Sequence, residues 1–148
     1  MKKIFFIFLF CLSQCGFQPI YLNKELNNNE FKNISFEGNQ EINEKIINSL
    51  SLKENKLNND LKSLILRSSY KIEEIKKDSS GKIELYKSQI ELNLIIKKQN
   101  QVLAEKKLIK ELSYNAKDNK FELVQYQNII KNDLINRIIE DIILYLNI

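Results

Sequence analysis

The sequence predicts an α+β fold of order βαβββα, in which a mostly antiparallel four-stranded sheet carries two helices packed on one face. Apolar and polar residues alternate with period two over 64–77, 86–96 and 102–114, as in half-buried strands. Two flanking segments, over 40–52 and from 119 onward, space their apolar residues as helices do. The three alternating segments follow each other closely, which favours antiparallel hairpins over parallel crossovers.

The first strand and first helix precede the long strands. Alternation over 31–36 predicts a short strand whose Ile34 and Phe36 face the core. Residues 53–60 are polar and rich in asparagine, which predicts a loop. Between them, helical spacing predicts a helix over 40–52, with core residues Ile42, Ile46, Ile47 and Leu50.

Two tight reversals join the three long strands. Asp78-Ser79-Ser80-Gly81 supplies turn residues, and Gly81 can take the positive φ that a hairpin turn needs. Gln99-Asn100 is the second reversal. The inward residues are Leu64, Leu66, Tyr70 and Ile72 on the first long strand, Tyr86, Ile90, Leu92, Leu94 and Ile96 on the second, and Val102, Ala104, Leu108, Leu112 and Tyr114 on the third. The opposite faces are polar.

Two lysines interrupt the inward pattern of the third long strand. Lys106 and Lys110 have the same parity as Leu108 and Leu112. A β-bulge, or a strand end that extends beyond the core, would keep these charges in water.

The second helix begins near Asn119. Residues 119–122 resemble a capping box with Asn in place of Ser or Thr, and about 26 residues of helical pattern follow. Its apolar stripe is wide enough to require a sheet or a partner. The stripe consists of Phe121, Leu123, Val124, Ile130, Leu134, Ile135, Ile138, Ile139, Ile142, Ile143 and Leu146.

The N-terminal segment has the pattern of a lipoprotein signal peptide. Met1-Lys2-Lys3 is basic, and residues 4–12 are nine apolar residues, which as a helix span roughly 14 Å, too short to cross a bilayer. Cys15 follows where a cleavage site is expected, with Gln14 before it. We therefore predict a signal peptide over 1–14, an acylated N-terminus and flexible tether over 15–30, and a single domain over 31–148. A buried or disulfide-bonded Cys15 is the alternative, but the other cysteine, Cys11, lies in the apolar run.

The composition argues against several classes of function. There is no His, so imidazole-based catalysis and metal ligation are excluded, and the three glycines are too dispersed for a phosphate-binding loop. The formal net charge of +4 falls to about +2 when Lys2 and Lys3 leave, which does not favour a nucleic-acid partner. We expect no enzymatic activity, no cofactor and no metal.

Two groups of polar residues have ordinary structural explanations. Tyr70, Tyr86 and Tyr114 share the parity of core residues, which favours packing over stacking on a sugar. Asp78 and Asp118 lie in separate loops, where turn and helix-start chemistry accounts for both.

The segment Cys15-Gly16-Phe17-Gln18-Pro19-Ile20-Tyr21 resembles the mature start of the LPS-assembly lipoprotein LptE family, in its shorter alphaproteobacterial-like form. The element order agrees along nearly all of the mature chain. It includes the long strand carrying Ser69-Tyr70-Lys71-Ile72, the turn at Gly81, and the terminal helix that follows Tyr114-Asn115.

The resemblance implies a function as well as a fold. Members of this family are outer-membrane lipoproteins on the periplasmic face, which plug the LPS-transport β-barrel LptD and assist its assembly. Contact with lipopolysaccharide phosphates is implied for cations on the polar strand face, although each also fits an ordinary solvated strand: Arg67, Lys71, Lys87 and Lys107. The alternative is a free periplasmic lipoprotein that binds lipid or glycan in a groove between the second helix and the sheet.

Overall fold

A computed structural model describes residues 29–146 in two layers, a sheet and a pair of helices. The predicted signal peptide, Cys15 and most of the tether lie outside the described residues. In chain order the elements are β1 (Glu30–Phe31), β2 (Ile34–Gly38), α1 (Gln40–Ser49), β3 (Lys53–Glu54), β4 (Ser63–Lys77), β5 (Ile83–Lys98), β6 (Gln101–Asn115) and α2 (Lys120–Leu146).

The main sheet has the strand order β2-β4-β5-β6, and the fold class is as the sequence predicts. The β4–β5 and β5–β6 pairs are antiparallel, whereas β2 pairs with β4 in parallel. Gln99 and Asn100 both have positive φ, 48° and 68°, which is the geometry of a two-residue hairpin turn that follows the sheet twist. In the β4–β5 turn, Asp78 Oδ1 accepts hydrogen bonds from the backbone of Ser80 and Lys82.

The core lies between the two helices and one face of the sheet. Cross-strand pairs such as Leu66 and Leu94 present fully buried side chains to the helices. Both helices complete this layer with fully buried residues, and the interior residues with the greatest burial are Ile42, Ile46, Leu64, Leu66, Ile90, Leu92, Leu94, Leu134, Ile135, Ile138 and Ile142. Neither helix of the described region combines the length and apolar character that crossing a bilayer demands.

The N-terminal part of the domain differs from the prediction in three ways. The single strand predicted over 31–36 is two strands, and β1 pairs with β3, which was expected to be loop, in a small parallel sheet. Phe31 is buried there, while Phe36 is 39% exposed because β2 is the edge strand of the main sheet. The first helix ends at Ser49 rather than at 52, because Ser51 takes a positive φ of 52°.

Two inward assignments on the long strands need correction. Ile72 is 39% exposed, because this part of β4 extends beyond α1. Ile96 lies opposite Ala104, but Lys97 lies opposite Val102, so Leu103 is an extra residue on β6. That bulge reverses the parity of Val102, which is 54% exposed instead of buried.

Lys106 and Lys110 do lie on the helix-bearing face. The bulge at Leu103 precedes both lysines, and the pairing of β6 with β5 is regular from Ala104 to Asn115, so no bulge turns them towards the open face. Lys110 Nζ forms an ion pair with Asp141 at 2.8 Å, and Lys106 Nζ lies 5.6 Å from the centre of the Tyr145 ring. The end of α2 thus supplies a carboxylate and an aromatic face to these two cations.

The start of α2 lies outside the core. Asn119 Oδ1 accepts hydrogen bonds from the backbone N–H groups of Phe121 and Glu122, which confirms the predicted N-cap. Phe121 and Val124 are nevertheless 69% and 54% exposed, contrary to the prediction. The reason is that α1 first meets α2 near Lys131, which pairs with Glu41, so no helix covers the preceding turns of α2.

A close approach between β2 and β4 depends on Gly38, and this generates our first prediction. Gly38 has a φ of +82°, and a Cβ there would lie 2.0 Å from the backbone oxygen of Ser68. We expect Gly38→Ala to lower the free energy of unfolding by about 3 kcal/mol or more.

Gly81 provides the matched control, because its φ of +85° is similar but nothing lies within 4 Å of its Cβ position. Gly81→Ala should cost only about 1 kcal/mol, the penalty of the left-handed backbone alone. Urea unfolding monitored by circular dichroism measures both. Equal losses for the two variants would contradict the argument from close approach.

The register of β6 generates a second prediction. Leu108 is 6% exposed on the helix-bearing face, whereas Ile109 is 47% exposed on the other. Leu108→Asp should cost about 3 kcal/mol or more, because it removes a buried leucine from the core and places a carboxylate among apolar side chains. Ile109→Asp should cost less than about 1 kcal/mol. The urea midpoints of the two variants check this, and the reverse order would mean that β6 is shifted by one residue.

Candidate functional site

The sheet face opposite the helices is uncovered, and we call it the open face. Side chains on β4, β5 and β6 form five cross-strand rows there, with four cations and four carboxylates among them. The rows are Ile65–Ile95–Glu105, Arg67–Asn93–Lys107, Ser69–Glu91–Ile109, Lys71–Gln89–Glu111 and Glu73–Lys87–Ser113. The alternation of the long strands therefore produces one apolar face and one charged face.

Arg67 lies near one edge of the open face. Its Nε donates to Glu37 Oε2 on β2 at 2.6 Å. This hydrogen bond holds the pKa of Glu37 below its usual value, and it raises the pKa of Arg67. The contact links the parallel strands β2 and β4 at the point where β2 ends.

The three lysines of the open face are also paired. Lys107 Nζ lies 2.7 Å from Glu91 Oε1. Glu73 accepts from Lys71 at 2.7 Å and from Lys87 at 3.1 Å, and these two hydrogen bonds lower its pKa. Lys87 also lies 3.7 Å from Glu111, and its own pKa is raised, first of all by the hydrogen bond to Glu73.

The four cations predicted to contact lipopolysaccharide thus lie on one face. Each has a carboxylate partner on a neighbouring strand or along its own strand, so the open face is charged but locally neutral. A phosphate could bind there only by replacing a carboxylate as the partner of a cation. Such exchange is chemically reasonable, because the pairs are exposed to water and the phosphate oxygens accept the same hydrogen bonds.

The tyrosines lie on the helix-bearing face, as expected from their parity. Tyr114 is 4% exposed, stacks on Tyr86 with ring centres 5.8 Å apart, and meets Tyr126 edge-on. The hydroxyl of Ser88 lies 3.2 Å from that of Tyr70 and 3.1 Å from that of Tyr114. Burial raises the pKa of Tyr70. These rings are packing residues, and the hydroxyls of Tyr70 and Tyr114 both form hydrogen bonds with Ser88.

A cleft of about 310 Å³ opens between β6 and the end of α2. Leu108, Leu144 and Tyr145 give it apolar walls, and Lys106 and Asp141 add charge at its rim. It lies between the second helix and the sheet, where the alternative function requires a groove. Asp78 and Asp118, in contrast, are used by a turn and by an ion pair with Lys82, and no metal-ligand cluster is present within residues 29–146.

Sequence reasoning found the cations of the open face but not their partners. The pairing of Glu37 and Glu91 with these cations could not be predicted from the sequence. Cross-strand pairing depends on register, and alternation alone does not give the register of β2 against β4. The sequence offered one signal for these partners: carboxylates with the parity of the open face occur on the strands next to the cations.

The fold is shared with bacterial lipoproteins of known structure. Rare lipoprotein B from Shewanella oneidensis superposes with a TM-score of 0.63 at 12% identity, over 78% of this chain and 93% of that protein. A minor lipoprotein from Acinetobacter baumannii gives 0.53 at 13% identity, over 76% and 87% of the two chains. A lipoprotein from Caulobacter crescentus gives 0.52 at 10% identity, over 76% and 86%.

These matches define the class of fold, an α+β lipoprotein-type domain seen in several bacteria. They rest on structure, since no protein-family model and no curated protein matches the sequence. At 10–13% identity the likeness shows the fold, and the function needs a separate argument.

The Arg67–Glu37 pair yields a prediction about pH. Because the pKa of Glu37 lies below its usual value of about 4.5, the pair stabilises the fold above that pH and ceases to do so as the pH falls through the lowered pKa. We expect Arg67→Gln to return the pKa of Glu37 towards 4.5. Carboxyl-carbon NMR titration measures it.

Arg137→Gln is the control, since Arg137 pairs with Asp133 within α2 and does not touch Glu37. An unchanged titration of Glu37 in Arg67→Gln would show that the guanidinium does not set its pKa.

Proposed function

We propose that the protein is a lipoprotein held at the periplasmic face of the outer membrane by acyl chains on Cys15. The position of Cys15 after an apolar run of nine residues supports this, and so does a fold shared with bacterial lipoproteins. Cys15 lies 14 residues before Asn29, so the tether reaches at most roughly 50 Å when fully extended. The domain can therefore reach a partner in the membrane without itself entering the lipid.

The partner we propose is an LptD-like outer-membrane β-barrel, in which the domain acts as a plug and assists assembly of the lipopolysaccharide exporter. The observation that carries this proposal is the match to rare lipoprotein B over 93% of that protein, together with the family resemblance of the segment that begins at Cys15. Export of lipopolysaccharide is then a task of the complex, and this chain contributes shape and polar surface rather than catalysis.

The open face suits a barrel lumen. A plug in a wet lumen has to remain hydrated and to present hydrogen-bonding groups to the polar inner wall of the barrel. Rows of paired charges on β4, β5 and β6 meet both needs, because the ion pairs neutralise each other and leave many donors and acceptors exposed. The helix-bearing face cannot serve in this way, since it is occupied by the core.

Direct contact with lipopolysaccharide is part of the proposal. Its phosphates would replace carboxylates as partners of Arg67, Lys71, Lys87 and Lys107. Arg67 is suited to a forked contact with a phosphate, whereas the lysines act as point charges.

A second candidate function is binding of a lipid or glycan by a lipoprotein without a barrel partner. The cleft between β6 and α2 favours it, because the cleft combines apolar walls with Lys106 and Asp141 at its rim. In that case the protein would purify alone, and substitution of Leu144, which is 67% exposed, would weaken ligand binding without unfolding the domain.

The test is affinity purification of the tagged full-length protein from detergent-solubilised outer membranes, with Cys15→Ser in parallel. We expect a large β-barrel protein in stoichiometric amount with the wild type. Cys15→Ser should yield much less of it, because an unacylated chain is not delivered to the membrane of the barrel.

Two outcomes would contradict the proposal. Recovery of the wild type alone, or with lipid only, would exclude the plug function and favour the second candidate. Equal recovery of the barrel with Cys15→Ser would show that acylation is not needed for the encounter. Gly81→Ala, which leaves the surface and Cys15 intact, controls for modest loss of stability.

A further inference from the structure

The two ends of the domain differ in their charge. At one end lie residues 29–32 with β1, residues 53–62 with β3 and the following loop, and the β5–β6 turn over 97–103, and we call this the tether end. The chain enters the described region there: the carbonyl of Asn29 accepts from Lys53 N at 2.7 Å, and Asn29 Nδ2 donates to Leu50 O. The backbone N–H of Lys32 donates to Lys62 O, which joins the small sheet to the start of β4.

Lysines outnumber carboxylates at the tether end by six to three. Lys56 pairs with Glu54, but Lys53, Lys62, Lys97 and Lys98 form no ion pair with any carboxylate of residues 29–146. The members are Lys32, Lys53, Lys56, Lys62, Lys97 and Lys98 against Glu30, Glu54 and Asp60. This end therefore carries an unbalanced positive charge.

The opposite end, formed by residues 74–84 and 115–122, is balanced, with five lysines and five carboxylates. Ion pairs neutralise three of these five lysines: Lys76 with Glu84, Lys77 with Glu74 and Lys82 with Asp118. The contrast shows that the excess at the tether end is local and is not a uniform consequence of a lysine-rich composition.

Exposed apolar side chains accompany the lysines of the tether end. Leu57 is 95% exposed at the tip of its loop, between Lys56 and Lys62, and the bulge on β6 leaves Val102 and Leu103 54% and 51% exposed. Exposed apolar side chains surrounded by lysines are suited to the boundary between lipid headgroups and acyl chains. The apolar side chains meet the acyl chains there, and the lysines meet the phosphates of the headgroups. Phe121 and Val124 are exposed at the other end, but no excess of cations surrounds them.

We propose that the tether end docks on the surface of a bilayer that contains anionic phospholipid, with Leu57 and Leu103 entering the headgroup region and the unpaired lysines contacting phosphates. The inference rests on the proposed acylation of Cys15, which would bring this end, from which the tether leaves, close to the membrane. Docking orients the domain on the bilayer surface and leaves the open face exposed, so the domain can dock before it enters a barrel.

The experiment uses the mature protein purified from membranes, with a single added cysteine that carries an environment-sensitive fluorophore. Leu57→Cys reports from the tether end, and Phe121→Cys, which is 69% exposed at the opposite end, is the matched control. The parent protein, taken through the same labelling, gives the background, because Cys11 leaves with the signal peptide and Cys15 is expected to be acylated. Each is mixed with vesicles of phosphatidylcholine and phosphatidylglycerol, or of phosphatidylcholine alone, and both flotation and emission are measured.

We expect a blue shift of the label at 57 on the anionic vesicles, a smaller shift on the neutral ones and none for the label at 121. Lys97→Glu combined with Lys98→Glu should abolish the shift at 57. Lys117→Glu combined with Lys120→Glu, the same change of charge at the opposite end, should leave it intact.

The possible failures are distinguishable. Flotation without a shift at 57 would overturn the docking proposal and leave the anchor in place, and a shift at 57 only when a barrel is added would assign this end to a protein partner. A protein that does not float with either kind of vesicle would overturn the proposed acyl anchor and, with it, the docking that depends on it.

Discussion

The position of all fully buried residues of β5 on one side of the strand is the constraint on which the rest of the structure depends. This strand is hydrogen-bonded along both edges, and its inward residues Ile90, Leu92 and Leu94 are almost completely buried. Both helices have to lie on that side, because it is the only large apolar surface that they can cover. The other side then has to be polar, and the paired charges of the open face follow from this division.

The two faces of the sheet also differ in what they contribute: the helix-bearing face stabilises the fold, and the open face is available for interactions. The helix-bearing face contains the core, the tyrosine cluster and the close approach at Gly38, so changes there act on folding. The open face contributes little to the core, and its ion pairs lie in water, where exchange of partners is inexpensive. We therefore propose a different task for each surface: the open face suits a polar wall, and the unbalanced lysines of the tether end suit anionic headgroups.

Much of this architecture follows from the periodicity of the sequence. Alternation predicted the three long strands, and helical spacing with Asn119 as the N-cap predicted α2. The errors occur where tertiary context decides. β3 has only two residues and therefore no pattern of its own. A bulge of one residue turns the side chain of Val102 to the other face of the sheet. Phe121 fits the apolar stripe of α2, but no helix covers it. Cations such as Arg67 could be placed on a face from parity, but Glu37 as its partner depends on the register of a parallel pair.

Photocrosslinking in living cells tests most directly the proposed contact between the open face and a barrel. A photoreactive amino acid in place of Ser69, which is exposed in the middle row of the open face beside Glu91, samples that surface without removing a charge or a core residue. Our account predicts one dominant adduct with an outer-membrane β-barrel protein. Absence of a protein adduct at this position, in a variant that folds and reaches the membrane, would contradict it.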